Sequence, residues 1–322
     1  MQLLCIAGKH LPLIDYSKVK DDDPVYTTAS ANSSYTVNMP AGTLIVVHND
    51  SSYYNIKVNG KSYDSYSSDS GAYFNYFYVS GENPTLSIPS SGTNFMVYYA
   101  PETAKLKASA SKKTYYVGRP TDSNAVTKFT ITVPKSGYLM LNMGDATGTY
   151  SMYYKTKGFK DFEYLTQSDA QRYIGVKKGT YTIQVKSYSP IIGVTYKFVK
   201  KSQSSYGTKK AKAKTLKKKK TYKGLIITNS KKSHWYKFKN PKLQKVSIVI
   251  DHKLSGGGNG GIKVTVINKS GSKFVDYIYP NQAKYETSIY TVGKNNKLAK
   301  GTYWIKIQSY NGGNGYFTVK WK

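Results

Sequence analysis

Along most of the chain, apolar and polar residues alternate with a period of two. Val246, Ile248 and Ile250 alternate with Ser247 and Val249, and Ile262, Val264 and Val266 share one side of "GIKVTVIN". A period of two sends successive side chains to opposite faces of a strand. Residues 301–310, "GTYWIKIQSY", then put Tyr303, Ile305 and Ile307 on a core face, with Trp304, Lys306 and Gln308 on the other. Gly- and Asn-rich breaks at 256–261 and 311–315 read as turns, the first, "GGGNGG", as a flexible hairpin tip. A 3.6-residue period is nowhere evident, and "QSDAQRY" (167–173) reads as one short turn. The pattern predicts an all-β chain of tandem β-sandwich domains, jelly-roll or Ig-like in type.

Internal similarity sets the domain period. "KGTYTIQVKSY" (178–188) and "KGTYWIKIQSY" (300–310) agree at seven of eleven positions, and each is followed by a loop and a last alternating run. Upstream, "YTVNMPAGTLIVV" (35–47), "FTITVPKSGYLMLNM" (129–143) and "WYKFKNPKLQKVSIVID" (235–251) each place a proline (Pro40, Pro134, Pro241) between two strands. Three related units follow: 20–105, 106–203 and 204–322, the last opening on a lysine-rich linker. The first is the most divergent, because it lacks the Gly-Thr-Tyr ending. Residues 1–19 stand apart as an N-terminal arm or the remnant of a secretion signal, since "MQLLCIAGKHLPLI" has no basic leader.

The third unit runs "AKTLKKKKTYKGLI" (213–226), "SHWYKF" (233–238), then "KGTYWIKIQSY" and "GYFTV". It resembles the bacterial pre-peptidase C-terminal domain, closely over 211–322 and loosely over 110–200. The resemblance implies a secreted, jelly-roll-like sandwich that accompanies exported enzymes and surface proteins. Where that family has an acidic residue before the Trp-Tyr pair, this chain has His234. The related collagen-binding modules hold calcium with acids, of which this unit has only Asp251, Asp276 and Glu286.

Composition sharpens the picture. The 33 Tyr far outnumber 10 Phe and 3 Trp, and tyrosine suits half-exposed strands because its ring packs while its hydroxyl meets water. Net charge is +31, carried by 46 Lys and only 2 Arg. Arginine is the residue for bidentate phosphate and base recognition, so its scarcity argues against a nucleic-acid reader. The charge is uneven: net −3 over 1–105, +11 over 106–203 and +23 over 204–322. Such asymmetry turns the C-terminal end toward an anionic partner. Cys5 is the one cysteine, so no internal disulfide forms. No stretch has the apolar length of a membrane-spanning helix.

Catalysis finds little support. His10, His48, His234 and His252 are scattered, no nucleophile motif occurs, and the chain has four Glu. No catalytic residue, metal ligand or cofactor is assigned. "KDDDPVY" (20–26) reads as an acidic linker. Binding candidates are more concrete. On the outward face of the closing strand stand Trp304, Lys306 and Tyr310; an exposed Trp is a hot-spot type. "GAYFNYFYVS" (71–80) puts Phe74, Tyr76 and Tyr78 on one face and Tyr73 and Phe77 on the other, as a stacking platform or an interface with the second unit. The run Lys209, Lys210, Lys212, Lys214, Lys217, Lys218, Lys219 and Lys220 is a solvated linker or a tether for polyanions.

These features describe a secreted or cell-surface basic protein of tandem repeats, non-catalytic, working in adhesion or carbohydrate binding. Its partner would be an anionic polysaccharide, a cell-wall polymer or a host matrix protein. The alternatives are an accessory targeting subunit of an exported hydrolase, in which Asp50, Asp64, Asp69 and Glu82 would converge, or a structural spacer.

Overall fold

In the computed structural model the backbone is described for residues 2–3, 12–15, 27–29, 33–38, 42–48, 56–62, 65–67, 73–79, 84–88, 95–101, 103–118, 126–144, 150–166, 172–187, 191–228, 232–255, 260–280, 284–288 and 297–322. Among these residues the alternating segments are strands, and the sole helical element is one 3-10 turn, Lys210–Lys212. The segment 167–171, expected to hold a short turn, lies outside the described residues.

The second unit pairs two sheets. One runs in the spatial order Thr103–Lys107, Val126–Val133, Gly179–Ser187, Tyr150–Thr156, Glu163–Thr166, and the other Lys113–Gly118, Ile191–Lys200, Gly137–Gly144, Arg172–Val176. The third unit repeats this order strand for strand. Its first sheet is Lys214–Thr215, His234–Asn240, Gly301–Tyr310, Gly261–Ile267, Lys273–Ile278, and its second is Thr221–Ile226, Asn314–Trp321, Ser247–Ser255, Lys284–Ser288. The first unit keeps the same nine strands, from Pro12–Asp15 to Phe95–Pro101, and adds an edge strand to each sheet, Gln2–Leu3 and Ser65–Ser67. In every copy the first strand joins its sheet in parallel and its other ladders are antiparallel. Thr103 to Lys105 therefore belong to the second unit's sheet, and Pro12–Asp15 to the first unit's.

Alternation explains the two cores. Phe129, Ile131, Val133, Tyr181, Ile183 and Val185 point inward from one sheet of the second unit and meet Leu139, Leu141, Met143, Ile174 and Val194 of the other. The third unit does the same with Tyr236, Phe238, Tyr303, Ile305 and Ile307 against Ile248, Ile250, Phe317 and Val319. Each such buried side chain contributes roughly 1.5–3 kcal/mol. The proline corners carry the chain from one sheet to the facing one: Val126–Val133 and Gly137–Gly144, on either side of Pro134, lie in opposite sheets. So do Ser247–Ser255 and Gly261–Ile267, which corrects the hairpin expected at "GGGNGG": that segment crosses between sheets. The Asn-Gly turn of the closing stretch behaves alike. Asn311 and Gly312 take φ of 43° and 76°, and Gly313 N donates to Tyr310 O at 2.9 Å, as in a tight hairpin turn. The strands it joins nevertheless belong to different sheets.

The second and third sandwiches are docked. Edge strand Arg172–Val176 lies across Asn314–Trp321, Ser247–Ser255 and Thr221–Ile226. Tyr138, Leu225 and Tyr316 form a small core between the two units, with Met140, Tyr173 and Val199 packed around it. Buried Asn314 spans the seam: its Oδ1 accepts Gly175 N at 2.7 Å, and its Nδ2 donates to the Tyr154 hydroxyl. Ser255 Oγ donates to Tyr173 O at 2.6 Å. Gly175 approaches so closely that a Cβ there would lie 2.4 Å from Gly315 O. The seam uses the second sheet of each unit, so the outward faces of the first sheets are left to other uses.

Candidate binding face

The outward face of the third unit's first sheet is a ladder of lysines and aromatic rings. Strand register places Lys237 opposite Trp304 and Trp235 opposite Lys306. Trp304 in turn faces Ile267, Lys306 faces Thr265, and Gln308 faces Lys263. At the far edge Lys263 pairs with Tyr277 and Thr265 with Val275, which is exposed. Three contacts tie charge to ring: Lys306 Nζ lies 5.8 Å from the Trp235 centroid, Lys263 Nζ 5.6 Å from Tyr277, and Lys210 Nζ 4.5 Å from Trp304. Each contributes about 0.5–1 kcal/mol at an exposed site. Tyr310 closes the row with its ring 4.6 Å from that of Tyr277. No Asp or Glu stands on this face among the described residues. Asp276 has the opposite parity, and its Oδ1 accepts Tyr277 N at 2.8 Å.

The lysine run is part of the sandwich rather than a solvated linker. Lys214–Thr215 pairs in parallel with Tyr236 and Lys237, and Gly207 exchanges two hydrogen bonds with Trp235. Ala213 and Leu216 are buried and anchor the run to the core. The Tyr222 hydroxyl accepts Lys217 N at 3.1 Å and donates to Thr215 O at 3.2 Å. Upstream, the Tyr206 ring stacks 3.8 Å from buried His234, whose Nε2 donates to Leu225 O at 2.8 Å. Burial keeps that imidazole neutral, holding its pKa down to about 4. Lys209, Lys212, Lys214 and Lys217 to Lys220 stay exposed, whereas Lys210 is half-buried against Trp304. An open cleft of about 700 Å³ results, lined by Lys212, Lys214, Lys217, Lys220 and Lys237 with the hydroxyl-bearing Ser204, Ser205 and Thr215.

Of the residues singled out in the sequence, Trp304, Lys306, Tyr310 and the lysine run therefore come together on one unit. Phe74, Tyr76 and Tyr78 do not join them. Strand Tyr73–Val79 belongs to the first unit, where it pairs with Gly42–His48, and these three side chains lie outside the described residues. Asp50, Asp64 and Asp69 lie outside the described residues or side chains, as does Glu82. Trp235, Lys237, Lys263 and Tyr277 were not picked out from sequence. Alternation in "HWYKFK" marks the first two, since Tyr236 and Phe238 take the inward positions between them. The second unit lacks the tryptophans: by register, Lys128, Thr130, Thr182 and Gln184 occupy the places of Trp235, Lys237, Trp304 and Lys306, and there Lys128 and Lys155 approach Phe162 instead. Chemically, the face offers flat rings for stacking beside ammonium groups set as point charges, with no counter-charge among them.

No helix among the described residues is long and apolar enough to cross a membrane. No family model matches the chain, and no curated protein does. Among solved structures it is similar to the full extracellular region of zebrafish Gpr126/Adgrg6, at 10% identity and a TM-score of 0.22 over 67% of this chain and 36% of that one. A structure of Broad Bean Stain Virus aligns at 6% identity and a TM-score of 0.21, over 67% of this chain and 88% of that one. Tripeptidyl peptidase 2 aligns at 9% identity and a TM-score of 0.22, over 88% of this chain and 29% of that one. The chain spans about a third of the length of the zebrafish extracellular region and of the peptidase.

Proposed function

We propose that this is a non-catalytic extracellular binding protein whose third sandwich holds an anionic polysaccharide or cell-wall polymer. The observation that carries this reading is the acid-free ladder in which Trp235 and Trp304 alternate with Lys306 and Lys237. Rings on a rigid sheet stack on the apolar faces of sugars, while lysines beside them meet sulfate, carboxylate or phosphate groups without demanding one geometry. The folded lysine run lengthens the basic track at the sheet edge. Its charge draws a polyanion in, and the rings supply the part of the affinity that salt does not screen.

The test is binding of the full chain to purified cell wall, heparin and mucin across a salt series, with Trp304→Ala and Trp235→Ala beside wild type. The reading expects both variants to lose the fraction of binding that survives high salt. Binding that vanishes with salt and ignores both tryptophans would reduce the face to a nonspecific electrostatic tether.

A further inference from the structure

A second basic cleft lies where the second and third sandwiches meet. It encloses about 810 Å³, and Lys155, Lys157, Lys177, Lys178 and Lys232 converge on it. Among the described residues no Asp or Glu lines it; the rest of the described wall is threonine, glycine, Ile227 and the rings of Phe159 and Tyr181. The lysines sit on a fixed frame. The Tyr181 hydroxyl accepts Lys177 N at 2.8 Å and donates to Lys177 O at 3.2 Å. Lys155 Nζ donates to Lys160 O at 2.8 Å, and Thr156 Oγ1 donates to Thr180 O at 2.9 Å. Burial above all lowers the pKa of the neighbouring His234, and Lys177 adds a smaller contribution in the same direction.

Five lysines on rigid strands and turns line one concavity with no acid among its described lining residues, and raise the local concentration of anions. Lysine suits tetrahedral oxyanions, which need charge but no planar fork. Phe159 and Tyr181 add apolar lining, and the threonines add polar lining. We infer that this junction cleft is a second binding site, for the sulfate or phosphate groups of a hydroxylated chain. It rests on the polyanion reading for the class of ligand and goes beyond it in place and consequence. Because Lys232 belongs to the third unit and the other four lysines to the second, an occupant bridges the two sandwiches and strengthens their docking.

The experiment uses the full chain with two small probes, a glycerol-phosphate trimer and a heparin-derived tetrasaccharide, which separate phosphate from sulfate sources. Calorimetric titration and thermal melting compare wild type, a junction variant (Lys177→Gln with Lys178→Gln) and a lysine-run variant (Lys212→Gln with Lys214→Gln). All four positions are exposed, so the variants keep the fold. At about 0.1 M salt, the junction variant should bind at least one probe about tenfold more weakly at one class of site, as the loss of two charge contacts requires. The probe should also raise the melting temperature of wild type and of the lysine-run variant more than that of the junction variant. If the junction variant matches wild type while the lysine-run variant loses binding, the junction site is refuted and the proposed function stands. If neither probe binds wild type, the oxyanion class itself falls for both sites.

Discussion

Replacing Asn314 by leucine removes its two hydrogen bonds across the seam between the second and third sandwiches while keeping a branched side chain of the same number of heavy atoms. Arg172–Val176 is an edge strand, and the buried Asn314 Oδ1 is the partner of its Gly175 N–H at 2.7 Å. Leucine leaves that N–H orphaned in a buried setting, which costs about 1–3 kcal/mol. The Tyr154 hydroxyl loses one bond but keeps its interaction with Thr228, a loss of about 0.5–1.5 kcal/mol. Together the variant should lose roughly 2–4 kcal/mol. Urea unfolding of the full chain reads this directly, because the three tryptophans, Trp235, Trp304 and Trp321, all lie in the third unit. With a slope of 1–3 kcal/mol/M, the fluorescence midpoint should fall by about 1–2 M. A midpoint within about 0.3 M of wild type would mean that the Asn314 bonds carry no net stability and that the seam is held by its small core and the Ser255–Tyr173 bond.

Three further outcomes follow from the same geometry. Gly175→Ala sets a Cβ 2.4 Å from Gly315 O and 2.7 Å from Ile226 O, so the seam must open; a loss of about 1–3 kcal/mol is expected in the same urea assay. Tyr181→Phe removes both hydroxyl bonds to the Lys177 backbone and should cost about 0.5–1.5 kcal/mol in thermal melting while weakening oxyanion binding at the junction cleft. Burial lowers the pKa of His234 to about 4 and lowers that of His252, whose ring nitrogens both lack hydrogen-bond partners among the described residues. Because the folded values lie below the unfolded value of about 6.5, the unfolded chain takes up protons first; stability is full above that pH and falls toward pH 4, by about 3 kcal/mol for His234 alone. His252→Leu should flatten part of this decline, measured as urea midpoints at neutral and acid pH.

Much of the architecture is legible in the sequence, because a period of two is a direct image of strand geometry. Tyr303, Ile305 and Ile307 face the core as their alternation requires, and the Gly-Thr-Tyr copies occupy equivalent strands. Sheet crossing is not legible. An Asn-Gly turn has the same local chemistry whether the next strand pairs with the last or moves to the facing sheet, and that choice is made by the distant partners of Asn314–Trp321. The lysine run reads as a linker because its charge density masks two apolar anchors, Ala213 and Leu216, whose burial depends on strands later in the chain. Trp304 meets its lysine partner from 94 residues upstream, beyond any local pattern. Asn314 sits in "YNGGNGY", where an asparagine looks like turn chemistry and not like the bridge between two domains.

The two-residue strand Lys214–Thr215 has a consequence for how the molecule stays separate from its own copies. It borders His234–Asn240, whose outer backbone groups would otherwise form an open template for another strand. A tandem array of like sandwiches is exposed to that hazard, since every copy carries sheets of matching topology. Here the border is too short to extend a ladder, and exposed lysines before and after it repel the same edge on a neighbouring molecule. The charge proposed to draw a polyanion toward the third sandwich thus also keeps a neighbouring molecule's strand from joining its first sheet.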